Sequence, residues 1–380
     1  MPQTAIPCVF MRGGTSKGPY FRLADLPADP ALRDAVLLAV MGSPDMRQID
    51  GIGGADTLTS KVAIVSPSTR PDVDVDYLFA QVSIDEAFVD TSPSCGNMLA
   101  GVAPFAIESG MVTARDATTD VRIHNVNTRS LIEIRVQTPG GRVRYDGDAA
   151  IDGVPGTAAP VLCKYMDVVG SKTSGLLPTG RPMDDIQGIA VSCVDVAMPL
   201  VFLRAAELGI GGDESRAALN ANTELLERME EIRLQAGRLM GLGEVRGRVI
   251  PKVALLSEPS QGGHIRSRYF TPLSCHAAHA VTGGICLATC CLLPGTVAAE
   301  LAVPVEPPRP GKTAERTLVI EHPSGKLDIE LGYRVSGDGF EFGYGGVVRT
   351  ARRLFEGHVF IPSHVWDGSL SAQQTSVEAE

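Results

Sequence analysis

Two short stretches of small and apolar residues, one in each half of the chain, constrain the fold most strongly. Residues 98–107 follow Ser94-Cys95-Gly96-Asn97, and residues 285–293 follow a polar stretch that ends at Thr282-Gly283-Gly284. Each stretch is apolar all round, which is typical of a helix buried in a core. The positive end of each helix dipole would therefore face the polar residues before it. The second half also repeats the order of elements of the first, which predicts two similar domains.

The length of the chain favours two domains as well. Its 380 residues exceed one ordinary core, since domains are typically about 100–200 residues long. We place the boundary near residue 183, so that residues 1–183 and 184–367 form the two domains. Residues 368–380 are polar, and we expect a disordered tail there.

The composition argues against several classes of protein. The formal net charge is −10 and no basic cluster occurs, so a nucleic-acid partner is not expected. The apolar runs are short and broken, which argues against a membrane span, and the N-terminus lacks a signal-peptide pattern. We therefore expect a cytoplasmic protein. Its eight cysteines contain no C-x-x-C pair, and we expect no disulfides.

Lys61 stands at the mouth of a predicted strand. It follows a stretch rich in glycine and hydroxyl groups, residues 51–60, and precedes the apolar residues 62–65, which predict a buried strand. A side chain in that position usually faces a cleft. A desolvated lysine has a pKa lowered towards neutrality, which a proton-abstracting base requires. The alternative is a surface lysine that extends its chain to reach water.

Two other polar stretches could hold an anion. Arg12-Gly13-Gly14-Thr15-Ser16-Lys17-Gly18 combines glycines with hydroxyl and cationic groups, so its backbone can approach an anion closely. The alternative there is a tight hairpin turn. Ser94-Cys95-Gly96-Asn97, at a helix start, suits a substrate carboxylate or a reactive thiol. The alternative there is a helix cap with an unreactive cysteine.

Neither a metal site nor a dinucleotide site is predicted. His276, His279, Cys286 and Cys290 are close in sequence, but the cysteines fall inside an apolar helix and no acidic ligand is near, so core packing is favoured. Gly51-x-Gly53 is not a dinucleotide fingerprint, because no strand precedes it and no long helix follows.

Periodicity predicts further elements. It favours helices at residues 29–40 and 213–240 and strands at 72–80 and 82–89. Near the C-terminus it favours separate strands at 340–343 and 347–351.

Taken together, the motifs resemble those of one enzyme family. Four of them occur in order along most of the chain: Met11-Arg12-Gly13-Gly14-Thr15-Ser16-Lys17-Gly18, then Gly51-x-Gly53-Gly54 with Thr59-Ser60-Lys61-Val62-Ala63, then Ser94-Cys95-Gly96-Asn97, and finally Val281-Thr282-Gly283. This set resembles the 4-oxalomesaconate tautomerase and 2-methylaconitate isomerase group. The resemblance implies a diaminopimelate-epimerase-like α/β (α+β) fold with two pseudo-symmetric domains. Each would be a mixed, barrel-like sheet around a central helix, with the active site in the cleft between them.

The resemblance also implies roles for particular residues. Lys61 matches the lysine that serves the family as a proton-transfer base, and Cys95 matches one of the two catalytic cysteines of the epimerases. Near position 276, where the allylic isomerases carry a lysine, this chain has His276, which is more similar to the tautomerase branch. We expect these three residues to be catalytic. We expect the substrate to contact Arg12, Thr15, Ser16, Lys17, Gly53, Ser60, Ser94, Gly96, Asn97, Arg268, Thr282 and Gly283.

The function implied is keto–enol tautomerisation of 4-oxalomesaconate, a small tricarboxylate, in aromatic catabolism such as gallate degradation. The family works without metal or organic cofactor, so none is expected here, and a homodimer is one expected assembly. One alternative is an allylic or cis–trans isomerase of 2-methylaconitate, methylitaconate or aconitate-like substrates. Another is a non-catalytic carboxylate-binding protein built on the same fold.

Overall fold

The computed structural model of the protein describes residues 2–306, 308–309, 311–336 and 339–369. Residues 370–380 of the predicted disordered tail therefore lie outside the described residues. In chain order the strands are β1 (Gln3–Gly13), β2 (Ser16–Arg22), β3 (Lys61–Pro67), β4 (Val75–Val82), β5 (Val89–Asp90), β6 (Thr118–Asn125), β7 (Ser130–Gln137), β8 (Pro160–Tyr165), β9 (Asp184–Ile186), β10 (Ile189–Asp195), β11 (Pro199–Arg204), β12 (Lys252–Ser257), β13 (Ile265–Phe270), β14 (Thr313–His322), β15 (Gly325–Ser336) and β16 (Gly339–Pro362).

The α-helices are shorter and lie between these strands. They are α1 (Pro30–Met41), α2 (Gly96–Glu108), α3 (Arg216–Ala221), α4 (Thr223–Leu239), α5 (Val281–Leu292) and α6 (Val297–Leu301). Among the described residues, no helix is both long enough and apolar enough to cross a membrane.

The first of two compact units contains the chain up to Lys164 and from Val348 onward. Its strands follow the order β1-β2-β3-β4-β6-β7-β8-β16, with the short β5 beside β4. The last part of β16 also pairs with β1, from Gln3 opposite Pro362 to Gly13 opposite Ala351, so this order closes on itself. The β2–β3 and β4–β6 pairs are parallel and their neighbours antiparallel, which makes the sheet mixed.

Helix α2 is enclosed by this unit's own strands. It contacts β1, β2, β3, β4 and β7, and each residue from Met98 to Ala106 is buried. Small side chains let the strands approach so closely. At Gly101 an added Cβ would lie 2.4 Å from the hydroxyl of Tyr20, and that hydroxyl donates a hydrogen bond to the carbonyl of Met98 on the same helix.

The second compact unit, Tyr165–Val347, repeats this design. Its strands follow the order β15-β14-β13-β12-β11-β10-β9, with β15 paired to the first part of β16, and the β11–β12 and β13–β14 pairs are parallel. Helix α5 contacts β10, β11, β14 and β15 and is buried from Gly283 to Cys291. On the outer side of this sheet, α4 packs Leu225, Met229 and Ile232 into an apolar cluster with the strands.

Matching elements occur in the same order in the two units. A strand (β2 or β11) is followed by a short 3-10 turn, then by an outer helix, and then by a parallel partner strand (β3 or β12). An antiparallel strand and the buried helix come next in both. The fold class expected from the sequence, two pseudo-symmetric units of mixed sheet around a central helix, is thus confirmed.

The bounds of the compact units differ from the predicted division at residue 183. The second unit begins at Tyr165, and the chain from Val348 onward returns to the first unit. The reason is β16, a strand of 24 residues in which the structure joins the two predicted strands 340–343 and 347–351. Its beginning pairs with β15 and its end with β1, and such long-range pairing leaves no local signal in a sequence.

Two local predictions need correction. Residues 82–89 are not one strand, because Val82 ends β4 and Val89 begins the short β5, which pairs back with the end of β4. Residues 213–240 are not one helix, because the chain breaks at Asn222. The side chain of Asn222 accepts a hydrogen bond from the amide of Leu225 and so caps the start of α4.

We expect Gly101→Ala to destabilise the first unit, although alanine normally favours a helix over glycine by about 1 kcal/mol. The new methyl would meet the Tyr20 hydroxyl, and overpacking of a filled core costs about 1–3 kcal/mol. Urea unfolding would measure this loss. Tyr20→Phe removes the hydroxyl, so the alanine should cost less in the Tyr20→Phe background. An equal cost in both backgrounds would contradict the contact.

Candidate active site

Lys61 is nearly buried and has a neutral hydrogen-bond partner. It is the first residue of β3, 9% exposed, and its Nζ donates to Oε1 of Gln81, the residue opposite on β4. Nζ also lies 5.0 Å from the ring centroid of Phe79. Among the described residues no carboxylate forms an ion pair with Lys61. The structure therefore excludes the alternative of a surface lysine extended into water.

Gln81 fixes the position of the lysine amine. Its Nε2 donates to the carbonyl oxygens of Ser60 (2.8 Å) and Thr57 (3.2 Å), which turns Oε1 towards Lys61. The amide thus has one orientation, and the lysine receives a neutral acceptor rather than a carboxylate. A neutral acceptor does not stabilise the ammonium as strongly as a carboxylate would. Sequence analysis missed Gln81; the antiparallel register of β3 and β4 is the signal that could have found it.

A second glutamine, Gln48, organises the glycine-rich loop before Lys61. Its Oε1 accepts from the amide of Ala55, and its Nε2 donates to the hydroxyls of Ser43 and Ser60. Gly53 packs against the same side chain, where a Cβ would lie 2.2 Å from Oε1. The Ser60 hydroxyl donates to the carbonyl of Val82. The structure thus gives Gly53 and Ser60, both predicted to bind substrate, positions that support the loop.

The hairpin turn between β1 and β2 packs on the first turn of α2. This segment is indeed a tight hairpin turn, with Gly14 at φ +52°. Asn97 donates from Nδ2 to the Thr15 hydroxyl at 2.9 Å, and a Cβ on Gly14 would lie 2.2 Å from the Asn97 side-chain oxygen. The hairpin turn therefore does not exclude an anion-binding role for this segment, because the turn brings Thr15 to the start of the buried helix.

Cys95 is the N-cap residue of α2. Its Sγ accepts from the amide of Met98 at 3.5 Å, and it is buried. Gly96 begins the helix, and Ser94 accepts a hydrogen bond from Asn125 through its hydroxyl. The first amides of a helix have no intrahelical partners, so this end of α2 offers N–H donors and the positive end of the dipole.

Lys61 and the start of α2 lie on one face of β4. Phe79, below the lysine amine, and Tyr77, whose hydroxyl donates to the carbonyl of Cys95, are two positions apart on that strand, and alternate residues of a strand share a face. Gly18 lies between Lys61 and α2. A Cβ added to it would lie 1.9 Å from the Lys61 carbonyl oxygen and 3.3 Å from the Met98 side chain. The first unit thus brings together Lys61, Thr15, Cys95 and Asn97.

Arg12 and Lys17 line a cavity of the first unit that Lys61 and Cys95 do not line. It has a volume of about 570 Å³ and a lining that includes Arg352 and Tyr145 but neither Lys61 nor Cys95. Arg12 donates to the carbonyls of Gly14 and Thr350 and to the Thr350 hydroxyl. Burial and the neighbouring Arg352 lower the pKa of Arg12. Ser16, on the opposite face of the hairpin from Lys17, is buried without a hydrogen-bond partner for its hydroxyl among the described residues.

In the second unit His276, Thr282 and Gly283 lie around the start of α5. The Nδ1 atom of His276 accepts from the amide of Ala278, so the neutral ring carries its proton on Nε2. Its ring packs edge-on against Tyr269, with centroids 5.9 Å apart. Tyr269 also packs on the first turn of α5, where a Cβ on Gly283 would lie 2.5 Å from the ring. Thr282 follows the first residue of this helix.

The structure does not bring Arg268 to this group. Arg268 precedes Tyr269 on β13, so its side chain leaves the strand on the other face. There Nε donates to the carbonyl of Glu214 at 3.0 Å, and burial lowers the pKa of Arg268. Consecutive side chains of a strand point to opposite faces, and this alternation along β13 is the sequence signal that Arg268 lies away from Tyr269 and Thr282.

Comparison with known proteins gives matches along nearly the whole chain. A family profile described as PrpF protein matches residues 3–362. A (4E)-oxalomesaconate Delta-isomerase of Novosphingobium sp. (strain KA1) is 51% identical over 93% of this chain and 97% of its own length. A 4-oxalomesaconate tautomerase of Pseudomonas putida is 51% identical over 97% of this chain and 99% of its own.

More distant matches carry related names. A 3-methylitaconate isomerase of Eubacterium barkeri is 40% identical over 94% of this chain and 98% of its own length. A crystal structure of a methylitaconate-delta-isomerase superposes with a TM-score of 0.85 at 38% identity, covering 98% of this chain and 99% of the other.

We expect Lys61→Met to leave the free energy of unfolding unchanged or to raise it by about 1 kcal/mol. The amine is desolvated without an ionic partner, and an apolar chain of similar length avoids that cost. Lys164→Met is the matched control, because Lys164 is 4% exposed and its Nζ lies 3.1 Å from Glu133. There we expect a loss of about 1–3 kcal/mol, because the half-buried carboxylate of Glu133 loses the nearer of its two cationic partners. Urea unfolding would measure both, and an equal loss would contradict the distinction.

Proposed function

This chain belongs to the PrpF protein family, and we propose that it is an isomerase that converts the keto form of 4-oxalomesaconate to its enol by proton transfer from carbon to oxygen. The observation that carries the proposal is Lys61, a nearly buried amine held by a neutral amide beside the start of a buried helix. The 51% identity to the tautomerase and Delta-isomerase relatives supports the choice of substrate.

Lys61 is the base of the proposed reaction. The carbon next to the ketone loses a proton to the neutral amine, and Gln81 keeps that amine in one place through its hydrogen bond. Positioning of the base and of the substrate is worth several kcal/mol of the barrier. A general base in the correct position contributes about 10²-fold to 10⁴-fold to the rate.

The start of α2 stabilises the negative charge that develops. The dienolate and the substrate carboxylates carry that charge, and the free amides at Gly96 and Asn97, together with the helix dipole, favour an anion there. Thr15 and Ser94 add hydroxyl groups, which Asn97 and Asn125 hold in place. We assign these residues to substrate binding. Cys95 caps the start of α2, and its thiol borders the proposed anion position.

His276 supports tautomerisation over the allylic alternative. The Nδ1 atom of its imidazole accepts a hydrogen bond from the amide of Ala278, so Nε2–H can donate to a carboxylate or an enolate oxygen. The allylic alternative, a proton shift between carbons of 2-methylaconitate or methylitaconate, is supported by the 40% identity to a 3-methylitaconate isomerase. It remains the second candidate, since it would use the same lysine.

Lys61→Met should lower kcat on 4-oxalomesaconate by about 10²-fold to 10⁴-fold, because the methionine side chain cannot accept the proton. The ultraviolet change on enol formation measures turnover, and deuterium uptake from D2O measures proton removal. Thermal unfolding would show that the variant is folded. Turnover within tenfold of the wild-type rate would refute Lys61 as the base.

A comparison of substrates separates the candidate functions. We expect wild-type protein to convert 4-oxalomesaconate with a kcat/KM at least about 100-fold above that for 2-methylaconitate or 3-methylitaconate, since a difference of about 3 kcal/mol in transition-state binding gives that ratio. The opposite preference would assign the allylic reaction. Binding of the tricarboxylate with neither turnover nor deuterium uptake would instead assign a binding protein.

A further inference from the structure

A row of three cationic side chains crosses three neighbouring strands of the first unit. Lys17 on β2 lies opposite Arg12 on β1, and Arg12 lies opposite Arg352 on β16. Residues directly opposite each other in antiparallel strands share one face of the sheet, and all three side chains line the cavity of about 570 Å³ described above. Each residue that lines this cavity belongs to the first unit. One compact unit thus forms a cavity with three positive charges in its wall.

Within the described part of the chain, no carboxylate forms an ion pair with any of these three cations. The lining of the cavity includes the carboxylate of Asp146, but that side chain is 89% exposed and lies 3.5 Å from Nε of Arg144 instead. The side chains of Lys17 and Arg352 also make no hydrogen bond to a described residue. In a chain with a formal net charge of −10, this row is therefore a local excess of positive charge.

Arg353, the next residue of β16, shows that carboxylate partners are available in this region. It points to the opposite face of the strand, where it pairs with Glu108 at 3.4 Å and with Glu356. On the face of the cavity, by contrast, like charges lie directly opposite each other, which destabilises a sheet. Burial and the charge of Arg352 both lower the pKa of Arg12. An anion in the cavity would remove this repulsion.

Arg12, the central cation of the row, is held by one of its three nitrogens. Its Nη1 donates to the carbonyls of Gly14 and Thr350 and to the Thr350 hydroxyl. Nε and Nη2, which carry the other three N–H groups of the guanidinium, make no hydrogen bond to a described residue. Two parallel N–H groups of a guanidinium bind a carboxylate or a phosphate in bidentate fashion. The protein therefore fixes the orientation of Arg12 and leaves its anion-binding edge unused.

The loop of residues 151–158 forms a wall of the cavity. Two backbone hydrogen bonds between Ala149 and Ala158 close this loop, and at Gly153 an added Cβ would lie 3.0 Å from the methyl carbon of Thr15. These contacts hold the wall against the hairpin turn. The volume of about 570 Å³ is within the range of small-molecule sites, about 300–1,000 Å³. The cavity therefore has room for a small molecule with several charged groups.

We propose that this cavity is a second anion-binding site of the first unit, which takes a small polyvalent anion with carboxylate or phosphate groups. Arg12 binds one such group through Nε and Nη2, and Lys17 and Arg352 bind the remaining negative charge from either side. Neither Lys61 nor Cys95 lines the cavity, so the site does not depend on the function proposed above. Arg12 and Lys17, which the sequence predicted to contact the substrate, contact this anion instead.

Titration calorimetry of the full-length protein at low salt tests the proposal, with inorganic phosphate and citrate as the two probes. We expect one equivalent of a probe to bind, and the tighter of the two identifies the group that the site prefers. Sodium chloride should weaken this binding, because the cations are partly exposed to solvent. Absence of binding for both probes would overturn the proposal and leave the row as three solvated cations.

Substitution of Arg352 assigns the binding to the cavity. Arg352→Gln should raise Kd about 10-fold to 100-fold, because one charged hydrogen-bond donor is lost, whereas Arg352→Lys keeps the charge and should stay within about tenfold of wild type. Arg129→Gln, at an exposed arginine between β6 and β7, is the matched control for net charge and should bind like wild type. Equal weakening in the two glutamine variants would overturn the proposal.

Lys61→Met shows whether the anion binds elsewhere in the first unit. Because Lys61 does not line the cavity, this variant should keep the wild-type Kd for the probe within about threefold. Loss of binding in Lys61→Met with none in Arg352→Gln would place the anion beside Lys61 and overturn the second site.

Thermal unfolding gives an independent readout of the same site. Without added anion, Arg352→Gln should have a Tm equal to or above that of wild type, since repulsion of Arg12 is relieved. At a probe concentration of about 100 times Kd, the wild-type Tm should rise by about 5 °C and that of the variant by clearly less. An equal rise in both would contradict the site. Wild-type protein that converts none of the candidate substrates would refute the proposed function and leave these binding measurements unaffected.

Discussion

The pairing of the first strand with the last is the interaction on which the candidate site depends. Residues 3–13 lie opposite 351–362, so the strand order of the first unit closes and α2 is enclosed without a solvent-facing side. The same pairing anchors the hairpin turn, since the amide of Gly14 donates to the carbonyl of Thr350. A turn held from one side by β16 and from the other by Asn97 presents Thr15 with little conformational freedom.

Enclosing a helix in this way gives its first turn an unusual role. The helix interior must be small and apolar, as Gly101 against Tyr20 shows, so polar chemistry is confined to the helix ends. At the start of α2 the free amides, the dipole and the buried lysine of β3 meet on one face of β4. Because desolvation strengthens electrostatic interactions, the fold that excludes water also makes this end of the helix effective towards an anion.

How far the sequence predicts this arrangement depends on the range of each interaction. The buried helices and Lys61 at a strand start follow from local pattern and were predicted correctly. The strand register was not predicted. The roles of Gln81 and Gln48 and the continuity of β16 were therefore missed, because those contacts link residues far apart in the chain. Arg268 was predicted to bind substrate, but the alternation of side chains along β13 places it on the face opposite Tyr269. The roles of Lys61, Cys95 and His276 stay predictions.

Lys61 poses an energetic problem for the first unit. A desolvated amine without a carboxylate partner destabilises a fold, and Met or Leu at the start of β3 would avoid the cost. The first unit offsets part of that cost with the Gln81 amide. Packing gives no reason to keep an amine in this position, whereas a substrate that exchanges a proton with it does. The cost that Lys61 imposes on the fold is therefore an argument for its proposed role in proton transfer.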